Sequence, residues 1–200
     1  MSSEEKIHRL AKIARTKGRL AEEPPSTRVL VGTPTSPGSI LILAAASYGA
    51  KPAEDATVPT GFDPVAVALF ESIVEGAYLV ASADGVVDDE ERRTLERVVT
   101  SACGGTVAPK HVAELIDELE SWLKEEGLER RIEAVATQIT RKSHAREVLR
   151  IAALLGQVSH DVSDVERDVL VRLAQACGLQ PSDVDVALRE VADSLAEASS

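Results

Sequence analysis

The chain has 200 residues, a formal net charge of −11 and an aromatic content of only 2%. This length accommodates one compact domain plus an extension, and the scarcity of aromatic residues indicates a core of Leu, Val, Ile and Ala. The negative charge is concentrated in residues 63–200, which carry 14 basic and 27 acidic side chains. Such a body repels nucleic-acid phosphates and favours cations or basic partners, which argues against nucleic-acid binding by this part of the chain.

Residues 1–21 form a basic amphipathic segment, in which we predict a helix over residues 3–21. Its apolar stripe consists of Ile7, Leu10, Ala11 and Ala14. A segment of this kind lies on an anionic membrane, docks on an acidic protein surface, or stays a solvated terminus. The sequence leaves these alternatives open, although the thin apolar stripe argues against deep membrane insertion.

Residues 22–63 form a Pro-rich arm, because seven of the nine prolines fall between Pro24 and Pro64. The arm contains an apolar island at residues 39–49, which is too short to span a bilayer. We expect this island either to fold back onto the rest of the chain or to dock on a partner protein. The candidate partner-binding residues are Ile40, Leu41, Leu43 and Tyr48.

Residues 64–198 predict an all-α bundle of about seven helices, with no alternating strand pattern. The predicted helices cover residues 64–83, 88–103, 109–126, 128–140, 143–158, 163–177 and 181–196. Prolines open three of them, where the missing N–H costs nothing. The fold class is therefore all-α, with a Pro-rich arm before the bundle.

Two helix hairpins in this bundle repeat each other about 75 residues apart. Aligning Glu91 with Glu166 also superposes Val87 on Val162. In each copy an apolar helix enters a short acidic turn, and a capping box opens the next helix, with Asp88 and Ser163 as the predicted N-caps. The repeat predicts two similar hairpins with carboxylates at related loops.

The first of these loops carries the densest acidic cluster of the chain, around Asp84 and Gly85. Carboxylates at a Gly-containing turn can coordinate hard cations such as Ca²⁺ or Mg²⁺. The spacing is not that of an EF-hand, and capping alone equally explains Asp88 and Glu91. The sequence leaves both interpretations open.

No pattern in the chain indicates catalysis. The two cysteines, Cys103 and Cys177, are predicted to be small buried side chains with raised pKa values, and their scarcity is typical of a reducing cytoplasm. Glu71 and Glu75 are spaced as in a di-iron bundle, but the Glu-x-x-His motifs of that chemistry are missing from the bundle. We therefore assign both to a solvated helix face.

The segment from Ala81 to Glu91 resembles the hallmark of TerB-like tellurite resistance proteins, and residues 162–179 are similar to the second repeat of that family. The resemblance covers residues 64–198. It implies two pseudo-symmetric helical halves, acidic metal-binding loops and a place in a membrane-linked stress complex. By match of motif, it implies that the metal ligands are Asp84, Asp88, Glu91, Asp161 and Glu166. The second loop departs from the pattern, because Ser159 and His160 stand where the family has Asp-Gly.

These observations lead to one leading hypothesis and one alternative. The leading hypothesis is a cytoplasmic, non-enzymatic TerB-like domain that is peripheral to the inner membrane and binds a divalent cation, Ca²⁺ or Mg²⁺, together with a protein partner. The alternative is an adaptor or cargo-like protein that docks through its N-terminal arm without metal. A further alternative, tellurium oxyanion chemistry at the two thiols, is disfavoured.

Overall fold

The computed structural model describes residues 3–16, 18, 39–50, 63–85, 87–157 and 162–198. The described part of the chain is built from nine helices without a strand, which confirms the predicted all-α class. The helices are α1 (Ser3–Arg15), α2 (Ile40–Gly49), α3 (Pro64–Ala81), α4 (Asp89–Ala102), α5 (Pro109–Glu126), α6 (Leu128–Gln138), α7 (Lys142–Gly156), α8 (Asp164–Ala176) and α9 (Pro181–Glu197).

All seven helices predicted for residues 64–198 are present, with ends within two residues of their predicted positions. The N-terminal helix is the exception, because α1 ends at Arg15 and not at residue 21. The carbonyl oxygen of Arg15 accepts a hydrogen bond from the N–H of Ser39 at 3.0 Å. That carbonyl is therefore taken by another segment of the chain, where a continuing helix would have used it internally.

The centre of the fold is the pair α3 and α7, whose last three turns are almost completely buried. Glycines allow the two backbones to approach: a Cβ added at Gly76 would lie 3.1 Å from Val148, and one at Gly156 would lie 3.1 Å from Val80. Because these contacts advance in the same direction along both helices, α3 and α7 run parallel. Their C-terminal loops therefore lie at the same end of the bundle.

α3 is also the one described helix that is long and apolar enough to cross a membrane by length and composition. Most of it is buried among the other helices, as expected for the core helix of a bundle.

The apolar island forms α2 and packs on α3, so the structure shows the fold-back alternative. The ring of Tyr48 lies 4.6 Å from the ring of Phe70, measured between centroids. Leu41 is buried, whereas the side of α2 that carries Leu43 faces outward. α2 is apolar throughout, and for that reason its sequence lacks the periodicity of a surface helix.

A buried ion pair on α7 joins the N-terminal helices to the bundle. Glu147 and Arg150 are 1% and 2% exposed, and two hydrogen bonds of 2.8 and 2.9 Å connect them. Arg150 also donates to the carbonyl oxygens of Ile13, at 3.4 Å, and Thr16, at 2.9 Å. The fully buried hydroxyl of Ser39 donates to Glu147 at 2.6 Å, so the pair holds the end of α1 and the start of α2 together.

The Ser39 hydroxyl should be important for stability, because Ser39→Ala removes the donor to a buried carboxylate and the N-cap acceptor of α2. We expect the free energy of unfolding in urea to fall by about 1–3 kcal/mol. Ser72→Ala is the matched control, since this buried hydroxyl bonds only to the carbonyl oxygen of Ala68 in its own helix. Equal losses for both variants would contradict the role of Ser39.

Candidate functional site

The first acidic loop connects α3 to α4 and is shaped by a capping box, as predicted. Oδ1 of Asp88 accepts hydrogen bonds from the N–H groups of Glu90, at 2.7 Å, and Glu91, at 2.9 Å. In return Oε2 of Glu91 accepts from the N–H of Asp88 at 3.1 Å. Asp84 lies in the preceding turn with its side chain exposed. Each capping carboxylate thus uses one oxygen for the helix end.

The second loop ends in the same motif. Ser163 accepts from the N–H of Glu166 at 3.2 Å, and Oε2 of Glu166 accepts from the N–H of Ser163 at 2.7 Å. Both predicted capping boxes are therefore confirmed. Asp161, the other predicted ligand of this loop, lies outside the described residues.

The two loops lie at the same end of the bundle because α3 and α7 are parallel. A Cβ added at Gly156 would meet Val80 of α3 at 3.1 Å and Oε1 of Glu166 at 3.7 Å. The second oxygen of Glu166 therefore faces the C-terminal ends of α7 and α3. Val87 and Val162, equivalent in the repeat, both pack against the core beneath their loops.

The described carboxylates do not by themselves assemble a metal site. Among the residues that the structure describes, no three His, Cys, Asp or Glu side chains are grouped so that they could hold a metal ion. Glu166 and the first loop lie at the same end of the bundle, but among the described residues Asp84, Asp88 and Glu91 are not grouped with Glu166 so that they could hold an ion. The described part of the site thus fits helix capping better than a preformed cation cage.

One comparison with known proteins gives a match. The family model for tellurite resistance protein TerB matches residues 72–189, which is more than half of the chain and includes both capped loops. The chain belongs to the TerB family. No curated protein and no solved structure gives a significant match. The TerB match begins within α3 and leaves out α1 and α2.

A second buried ion pair of this TerB chain was missed by sequence reasoning. Glu75 is buried in α3 and accepts a hydrogen bond of 2.6 Å from Nε of Arg131 in α6. Arg131 also bonds to Glu126 at 3.0 Å and lies 4.8 Å above the ring of Trp122. The assignment of Glu75 to a solvated face is therefore wrong: the carboxylate joins α3 to α6. Only its apolar neighbours in α3 could have signalled this burial.

The two thiols are held protonated. Burial raises the pKa of Cys103 to about 12 and that of Cys177 to about 11. The predicted direction is correct, and burial is its main cause. Because the thiolate is the reactive form of cysteine, neither position in this TerB chain favours nucleophilic or redox chemistry.

The candidate partner-binding residues of α2 differ in accessibility. Leu41 and Tyr48 are buried, and burial raises the pKa of Tyr48 to about 12, helped by the nearby charge of Glu71. Ile40 is partly buried against the core, while Leu43 is 55% exposed. Docking of α2 on a partner remains a prediction, and Leu43 is the member of the set that offers an open surface for it.

The Glu75–Arg131 pair predicts a specific pH dependence of stability. Burial raises the pKa of Glu75 above its ordinary value of 4.5, against the opposing effect of Arg131. Between the pKa of Glu75 in the unfolded chain and its higher pKa in the folded protein, the folded protein binds more protons than the unfolded chain. The contribution of Glu75 to stability is therefore lost as pH rises through this window. In Glu75→Gln, which cannot ionise, this loss should be absent.

Urea unfolding of wild type and Glu75→Gln from about pH 4 to about pH 7 checks this. The exposed Glu118→Gln on α5 controls for the removal of one negative charge. If the wild-type and Glu75→Gln curves run parallel over the whole range, ionisation of Glu75 has no part in the pH dependence.

Proposed function

We propose that this chain works in a tellurite resistance-type stress response as a non-enzymatic binding domain that recognises a protein partner. One observation carries the proposal: an acidic helical body already holds a basic amphipathic helix, α1, against its surface. The charge of the body, 27 acidic against 14 basic side chains in residues 63–200, favours basic partners for the same reason. Family membership supplies the biological setting.

The protonated thiols support binding over catalysis. Reduction of a tellurium oxyanion by cysteine requires a thiolate, and burial keeps both thiols well above their ordinary pKa. We place the domain in the cytoplasm, where a membrane-associated partner would hold it at the inner membrane. This cellular location is that of the membrane-linked stress complex implied by the family resemblance.

This proposal predicts that resistance does not depend on the cysteines. In cells that carry the gene, its deletion should lower the tellurite concentration that stops growth. The double variant Cys103→Ala/Cys177→Ala should restore resistance to the wild-type level, provided that circular dichroism shows a folded protein. A folded double variant that fails to restore resistance would favour thiol chemistry. No change on deletion would remove the tellurite function itself.

We also propose a second function, binding of a divalent cation between the two capped loops. The parallel arrangement of α3 and α7 favours it, because it brings both loops to one end and turns Oε1 of Glu166 toward that end. The ligands would be Asp84, Asp88 and Glu91 from the first loop, with Asp161 and Glu166 from the second. Oxygen ligands of this kind suit Ca²⁺ or Mg²⁺.

Calorimetric titration of Ca²⁺ and Mg²⁺ tests the cation proposal. We expect binding heat with the wild type and its loss in Asp84→Asn, which removes a carboxylate without introducing a cavity. Asp89→Asn is the matched control, because this neighbouring side chain is strongly exposed and is not a proposed ligand. Identical heats for wild type and both variants would end the cation proposal.

A further inference from the structure

α1 lies in a groove of the TerB bundle as a helical ligand would. It packs mainly on α4 and touches α7 and α9 at the sides. Its buried face consists of Ile7, Leu10, Ala11, Ile13 and Ala14, spaced along one side of the helix. Amphipathic helices bind hydrophobic grooves of partner proteins with this same pattern of anchors.

α1 and the bundle on which it packs carry net charges of opposite sign. Residues 3–16 carry four basic and two acidic side chains, whereas residues 63–200 have a net charge of −13. At the N-terminal end of α1, Glu4 forms an exposed ion pair with Arg97 of α4. Because exposed pairs contribute little to stability, this contact orients α1 more than it anchors it.

Open cavities border α1 on both sides. One of about 300 Å³ lies between α1 and α9, with Arg150 in its wall. Two others, of about 410 and 300 Å³, lie between α1 and α4 and share His8 as a lining residue. α1 is therefore flanked by open space along both edges, although its inward face is buried.

Release of α1 leaves no buried charge without a counter-charge. Arg150 would lose the carbonyl acceptors of Ile13 and Thr16, but it would keep both hydrogen bonds to Glu147 on its own helix. Ser39 belongs to the arm after the linker and would stay bonded to Glu147. Because Glu147 and Arg150 stay paired, release of α1 does not leave an isolated charge in the interior, which would be strongly destabilising.

The chain between α1 and α2 is long enough for α1 to leave its groove while another helix takes its place. Gly18 packs on Arg150, and residues 19–38 lead from it to Ser39, whose N–H donates to the carbonyl oxygen of Arg15 at 3.0 Å. A linker of 20 residues spans about 65 Å when extended, far more than this closure requires. A tethered helix of this kind competes for its groove at an effective concentration on the order of 1 mM.

We propose that the groove formed by α4, α7 and α9 is a binding site for a basic amphipathic helix of a partner protein, and that α1 occupies this site until the partner displaces it. The inference rests on the proposed partner-binding function and names its site. The partner helix carries anchors at the spacing of Ile7, Leu10, Ala11 and Ala14, with Lys or Arg beside them.

The test uses the full chain with a site-specific protease sequence inserted between Ser26 and Thr27, so that cutting turns α1 into a separable ligand. A fluorescently labelled peptide of residues 3–18 is titrated with cut and uncut protein, and its anisotropy is measured. We expect the peptide to bind the cut protein, and to bind uncut protein at least about tenfold more weakly, because the tethered α1 competes.

Two peptide variants establish how the helix is recognised. Leu10→Asp places a charge at a position that is 1% exposed and should abolish binding. His8→Asp places the same charge on the exposed side of α1 and should retain binding. Equal binding of both peptides would reveal only general attraction to an acidic surface and would overturn the proposal.

Three further results would also overturn it: the cut protein loses its cooperative unfolding, the labelled peptide never replaces the bound fragment, or the fragment leaves the groove for phosphatidylserine vesicles. The first two make α1 a permanent part of the core, and the third makes its target a membrane.

The full-length Leu10→Asp chain gives a second way to expose the groove to the labelled peptide, because it displaces α1 without a cut. Failed exchange would leave the tellurite function intact, since that function is tested by gene deletion.

Discussion

The buried pair Glu147–Arg150 is the interaction on which the arrangement of the N-terminal helices depends. Both side chains are almost completely excluded from solvent, and their remaining hydrogen-bonding capacity is directed to the end of α1 and the start of α2. Gly18 fits closely against the pair, since a Cβ there would lie 2.5 Å from Cδ of Arg150. A buried ion pair adds little net stability by itself, but it fixes which segments meet at α7.

The molecule has two parts: the bundle that the TerB family model matches, and the N-terminal helices that lie outside that match. The TerB match covers the repeated hairpins, whose parallel central helices bring two capped loops to one end. α1 and α2 lie outside that match yet bury apolar side chains against it. The protein is therefore a TerB bundle on which its own α1 and α2 pack. The groove that α1 occupies is a candidate binding site in addition to the acidic loops.

Much of this fold follows from local sequence signals. The helices of residues 64–198 end where expected because caps such as Asp88 and Ser163, opening prolines and apolar stripes act within a few residues of the helix end. The burial of Glu75, Glu147 and Arg150 could not be derived, because it depends on which helices meet in space. The helical state of the apolar island was missed for a related reason: an evenly apolar segment has no periodicity to detect.

Amide hydrogen exchange in Arg150→Met tests the role of the buried pair most directly. The control is Arg146→Met, a partly exposed neighbour on the same helix whose ion pair is with Asp183. We expect faster exchange in α1 and α2 of Arg150→Met, while α5 and α8 keep their wild-type rates, and no such change in the control. Unchanged exchange in α1 and α2, or a uniform increase through all helices, would contradict this role of the Glu147–Arg150 pair.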